Sequence, residues 1–134
     1  MPMSNFSANK ILDAVFSAAS LSAPATFYVR LYTAAPTASG GGTEVSGGSY
    51  APLSKTNNST NFPAASSQTK TSGTDWDFGT ATADWGTVTS WGLWDASSGG
   101  NLWFFGSLST ARLVLNGDPF KIPSGSASFV GVTT

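Results

Sequence analysis

Val88-Thr89-Ser90-Trp91-Gly92-Leu93-Trp94 and Leu102-Trp103-Phe104-Phe105-Gly106-Ser107-Leu108, joined through Ala96-Ser97-Ser98-Gly99-Gly100, decide the fold. Both runs are dense in aromatic and branched side chains, and a five-residue link with two glycines suits a hairpin loop. Working outward, Ala111–Leu115, Pro119–Ile122 and Ala127–Val132 read as further strands, set apart by Asn116-Gly117 and Ser124-Gly125. Upstream, Gln68–Phe78 reads as a strand with Trp76 and Phe78 on one face and Asp75 and Asp77 on the other. Asn57–Ser67 is turn-rich, with Phe62-Pro63 as its anchor point, and a short strand is expected over Tyr50–Thr56. Phe27, Val29 and Leu31 alternate with Tyr28, Arg30 and Tyr32, the pattern of a half-buried strand. Seven or eight short strands punctuated by turn residues predict a mainly β fold, an antiparallel sandwich, jelly roll or small barrel.

One helix is expected, over residues 7–19. Ile11, Leu12, Val15 and Phe16 fall on a single apolar stripe, Ser7 suits the N-cap, and Ser20–Pro24 ends the segment. A helix this short must dock on something to persist. Residues 33–49 carry Gly40-Gly41-Gly42 and Gly47-Gly48 with Glu44 as the one charge, and read as a mobile loop or an arm that orders on a neighbouring subunit. The chain of 134 residues is the length of one domain, with residues 50–134 supplying the rest of the sandwich.

Composition narrows the function. Hydrophobic residues make up 40% of the chain and aromatics 13%, enough for a packed core. Charged residues make up 10%, against about 25% in an average soluble domain. A surface of Ser, Thr, Gly and Asn costs little to desolvate and lacks the self-repulsion that keeps monomers apart. Net charge is −1, and Lys10, Arg30, Lys55, Lys70, Arg112 and Lys121 are scattered, so no basic stripe for nucleic acid forms. No apolar run approaches the roughly 20 residues of a membrane helix. Met1–Phe6 has no positive stretch, which predicts no signal peptide and synthesis in a cytoplasm.

Histidine and cysteine are both absent, which removes imidazole-activated nucleophiles and thiolate metal sites. Asp75 and Asp77 are the remaining carboxylate pair, about 6–7 Å apart by strand geometry. Aspartates on an outer strand face ordinarily just meet water, and the hydrolase reading is remote. The glycine tract lacks the Gly-Lys-Ser/Thr ending of a phosphate loop. The chain therefore reads as non-enzymatic, with no catalytic residue, cofactor or metal. Five tryptophans exceed the needs of a small core, so one or two are candidate interface anchors, with Trp85 and Trp103 put forward.

The wording of the sequence also resembles a family of small virion proteins of tailed phages. The matching stretches include Met3-Ser4-Asn5-Phe6-Ser7-Ala8-Asn9-Lys10-Ile11-Leu12-Asp13, Phe27–Tyr32 with Thr33-Ala34-Ala35-Pro36-Thr37, and Gly40-Gly41-Gly42-Thr43-Glu44-Val45. Asn61-Phe62-Pro63-Ala64-Ala65, Ala83-Asp84-Trp85-Gly86-Thr87-Val88 and Asp95-Ala96-Ser97-Ser98-Gly99-Gly100-Asn101-Leu102 extend it over nearly the whole chain. Relatives often carry a basic residue after the Tyr50-Ala51 pair; this chain has Pro52, so the strand there should start later or lie at an edge.

Members of that family are labelled head decoration (cement) or tail-fibre-like proteins. Related cements are β-sandwich or jelly-roll proteins of the outer shell, often trimeric or dimeric. The resemblance implies a decoration protein on the outer surface of the phage head, bound to the major capsid protein and to copies of itself, with trimers favoured over dimers. The alternative is a tail or fibre component with a receptor- or glycan-binding role. Ile11, Leu12, Val15, Phe16, Glu44, Tyr50, Trp85 and Trp103 are the candidate subunit contacts.

Overall fold

The alternating run at Phe27–Tyr32 forms the centre of the molecule. The computed structural model describes residues 3–130. Strand β1 (Thr26–Ala34) pairs antiparallel with β6 (Gly86–Trp94) on one side, and β6 continues to β7 (Leu102–Val114). On its other side β1 is flanked by two short strands in succession, β3 (Leu53–Thr56) against Thr26–Val29 and β2 (Thr43–Glu44) against Tyr32–Ala34. These five strands make one antiparallel sheet. Two smaller antiparallel pairs complete the fold: β4 (Thr69–Thr71) with β9 (Ser128–Val130), and β5 (Trp76–Thr80) with β8 (Pro119–Ile122). The architecture is mainly β and consistent with a sandwich, with one short helix at the N-terminal side, as the strand pattern predicts.

The core joins the layers through rings. Val29, Leu31, Trp91 and Leu93 from the large sheet are buried with Trp76 of β5 and with Phe120 and Ile122 of β8. Trp76 meets Trp91 edge to face, centroids 5.4 Å apart, and Phe27 does the same with Phe62 at 5.7 Å. Room for Trp91 comes from its cross-strand partner Gly106, where a Cβ would lie 2.5 Å from the indole. The glycine following Trp91 serves a different ring: a Cβ on Gly92 would lie 3.0 Å from Trp94 Nε1.

Several boundaries differ from the sequence reading, each for a tertiary reason. Helix α1 spans Asn5–Phe16 rather than 7–19, and its N-cap is Ser4, whose Oγ accepts from the Ser7 N–H at 3.1 Å. Ser7 is instead buried inside the first turn and donates its hydroxyl across to the Trp103 carbonyl at 2.6 Å. Ser4 also bonds the Leu102 carbonyl through its hydroxyl and the Trp103 carbonyl through its N–H, so the helix start is stitched to β7. Gln68–Phe78 is two strands, because β4 and β5 take different partners. Leu102–Leu108 and Ala111–Leu115 merge into the long β7, with a bulge that moves the partner of β6 from Arg112 at Val88 to Ser107 at Ser90. β3 starts only after Pro52 and pairs with β1 alone, as the missing donor requires. The expected strand over Ala127–Val132 is β9, and its end at Val132 lies outside the described residues.

Residues 33–49 are folded onto the chain itself. Thr33 and Ala34 finish β1, Thr37 and Gly40 exchange backbone bonds at 2.9 Å, Val45 is buried, and the Gly48 carbonyl accepts the Trp85 indole N–H at 3.0 Å. Nor is β1 only half-buried. Arg30 and Tyr32 on its second face are covered as well.

Candidate contact surfaces and an aromatic cleft

The predicted contact residues separate into three settings. The stripe on α1 faces outward: Leu12, Val15 and Phe16 are 53%, 66% and 81% exposed, and Ile11 is partly covered. The first turn is held by the serine bonds to β7 and by Phe6 edge-on against Trp103 at 5.2 Å. Beyond that turn Leu12, Val15 and Phe16 are left uncovered by the described residues. Trp85 and Trp103 are in the core instead, and both satisfy their indole N–H internally, Trp85 at Gly48 and Trp103 at the Asp95 carboxylate (3.3 Å).

Glu44 and Tyr50 repair the sheet. Between β3 and β2 the edge of β1 has no strand at Leu31. There the Tyr50 hydroxyl accepts the Leu31 N–H at 3.0 Å and donates to Glu44 at 2.7 Å, while the Val45 N–H reaches the Leu31 carbonyl at 2.9 Å. A side chain thus replaces a missing ladder partner. Burial pushes the Tyr50 phenol far above its ordinary range; the Leu31 N–H opposes this and the Glu44 carboxylate adds to it. Tyr32 is raised too, again first by burial. The folded chain therefore holds these protons more tightly than the unfolded chain. Stability is intact below the unfolded tyrosine pKa of about 10 and falls as pH rises beyond it. Urea midpoints should hold from pH 8 to about 10 and fall from there to pH 11. Tyr50→Phe should lower stability by about 1–2 kcal/mol at neutral pH through the orphaned Leu31 N–H, and flatten the alkaline slope. An unchanged slope in that variant refutes the assignment.

The carboxylate pair is taken up by backbone. Asp75 accepts the Ser124 N–H at 2.8 Å and pairs with Lys121 at 3.5 Å; that N–H bond, then Lys121, holds its carboxyl below the usual range. Asp77 accepts the Gly79 N–H at 2.8 Å. Among the described residues no group of three or more acidic, histidine or cysteine side chains is gathered as a metal site would need.

A cleft missed in the sequence lies on the second face of the large sheet. Arg30 is buried there, its guanidinium 4.1 Å from the centre of the Trp94 ring, with Nη2 donating to the carbonyls of Ala96 and Gly99 at 2.6 Å each. The loop after β6 is fixed by Asp95, which accepts the Asn101 N–H at 2.7 Å and its amide at 3.0 Å. Burial pushes that carboxyl up, but these bonds and the Trp103 indole outweigh it, and it sits below the ordinary range. Asn5, at the start of α1, ties in the Thr37–Gly40 turn through the Ala38 carbonyl (2.9 Å) and Ser39 Oγ (3.2 Å). Together these segments wall a cleft of about 450 Å³ beside Trp94, the only tryptophan of the five not buried. One signal in the sequence pointed to it. Residues three apart on a strand face opposite ways, so with Trp91 in the core Trp94 must point away from it.

Fold and surface together define a β-structured subunit with a closed core, an apolar helix face and a neutral aromatic cleft. Residues 2–129 match the family model described as Podophage GP4 fiber I protein gp80. The chain belongs to this family and is a structural protein of a phage virion. The resemblance seen in the sequence holds at that level, and the family carries the fibre description rather than the head-decoration one. A comparison with curated proteins gives no match.

Proposed function

We propose that this chain is a non-enzymatic fibre component of a podophage particle, attached to its neighbours through the outward stripe of α1. The fibre reading rests on the family match over residues 2–129, and it replaces head decoration as the preferred assignment. The attachment reading rests on one observation: a helix tied to β7 through its first turn, with Leu12, Val15 and Phe16 all more than half exposed. Side chains of that size gain about 1.5–3 kcal/mol each when buried, so three of them on one short helix supply a contact.

Gold labelling of a tagged copy, or cryo-electron microscopy of the particle, should place the chain at the tail. Labelling confined to the head shell overturns the fibre reading and restores the decoration one. The double variant Leu12→Asp/Phe16→Asp should keep its fold, with stability within about 0.5 kcal/mol as for exposed sites. It should enter particles at least tenfold less well than the parent chain. Normal incorporation excludes α1 as the attachment face.

A further inference from the structure

We propose that the cleft beside Trp94 binds a neutral sugar, which would make this fibre component a glycan-contacting one; the inference rests on the fibre reading for its biological setting, not for its chemistry. The cleft, at about 450 Å³, falls within the range of small-molecule sites. Its walls, from Asn5 and Phe6 through Ser39, Gly40 and Gly41 to Trp94 and Asn101, include no ionised side chain. Arg30 and Asp95 stand next to the cleft but outside its lining, with Arg30 Nη2 on the Ala96 and Gly99 carbonyls and the Asp95 carboxylate on Asn101. A phosphate, an acidic sugar or a cation thus meets no charged group in the walls. What the walls offer is aromatic surface from Phe6 and Trp94 and several neutral hydrogen-bonding groups, the complement of a pyranose with an apolar C–H face and a rim of hydroxyls.

The parts are held ready. Arg30 stacks on the Trp94 ring 4.1 Å from its centre and Nε1 of that ring is buried beside Gly92, so the indole is held in place before any ligand arrives. The amide groups are oriented as well. Asn5 donates one amide N–H to Ser39 Oγ and Asn101 donates one to Asp95, which fixes both side chains in the lining and leaves each amide with further donor and acceptor capacity for hydroxyls. The rim stays open, since a side chain at Gly41 would meet nothing within 4 Å.

Titration of the isotopically labelled chain with neutral saccharides (glucose, galactose, mannose, N-acetylglucosamine and their short oligomers) and with glucuronic and sialic acids tests this by two-dimensional NMR. Neutral sugars should shift Trp94 Nε1–H and the amides of Asn5, Gly40, Gly41 and Asn101, with the acids at least tenfold weaker. Trp94→Ala should weaken binding at least tenfold, and Asn5→Ala, which leaves the Ser4 cap intact, at least threefold. The shift map itself needs no variant. No shift with any neutral sugar, shifts centred elsewhere, or equal response to the acids overturns the sugar site. None of those results touches the fibre reading, which particle location decides.

Discussion

Trp76→Ala is expected to be among the most destabilising single substitutions in this chain. Trp76 is fully buried at 0% exposure, lies edge-on to Trp91 at 5.4 Å, and is the ring by which β5 reaches the large sheet, beside Phe120 and Ile122 of its partner β8. Deleting it takes away the transfer energy of the ring and leaves a cavity between layers, about 3–5 kcal/mol for a buried tryptophan. Domains of this size hold only about 5–15 kcal/mol in total. The flanking Asp75 and Asp77 point to solvent and bond backbone, so β5 has no second apolar anchor of equal size; Phe78 is only partly covered. The urea midpoint should fall sharply with the slope against denaturant unchanged. A loss under about 1 kcal/mol contradicts the picture of a core shared between these two sheets.

How far the sequence reveals this arrangement depends on the range of the interactions that decide it. The alternation at Phe27–Leu31, the outward Asp75 and Asp77 around Trp76, and the late start of β3 after Pro52 are local effects, and all are readable from neighbours along the chain. Ser4 and Ser7 are equally good caps by residue type. The choice falls to Ser4 because its N–H and hydroxyl both reach carbonyls of β7 while its Oγ still accepts the Ser7 N–H, contacts that spacing cannot reveal. The Ser109-Thr110 pair reads as a break, yet the ladder absorbs it as a bulge once Val88 and Ser90 of β6 fix the register on either side. Glycines 40–48 read as a free loop because composition reports backbone freedom and not the Trp85 indole and Leu31 carbonyl that capture the segment. The same limit governs the surface. The apolar stripe of α1 is visible as a periodicity, and Trp94 follows from its parity with Trp91. Asn5, Ser39 and Asn101 belong to three separate segments that only the closed fold brings to one cleft.

A second large effect should appear where propensity and packing predict opposite signs. By strand propensity Gly106→Ala or Gly106→Val in β7 ought to stabilise, since glycine weakens a strand. Here the substitution is expected to destabilise, by about 1–3 kcal/mol for alanine and more for valine. Gly106 faces Trp91 directly across the ladder, and an added Cβ would stand 2.5 Å from Cζ2 and 2.9 Å from Cε2 of the indole. The ring has nowhere to go: it is 2% exposed and Trp76 closes it from the other layer. Shrinking the ring should relieve the clash, so Trp91→Phe ought to cost less in the Gly106→Ala background than in the parent, with a coupling of about 0.5–3 kcal/mol. Denaturant curves on the four members of that cycle measure it. A stabilised Gly106→Ala, or two changes that simply add, would falsify the claim that the absent side chain at position 106 is what seats the central tryptophan.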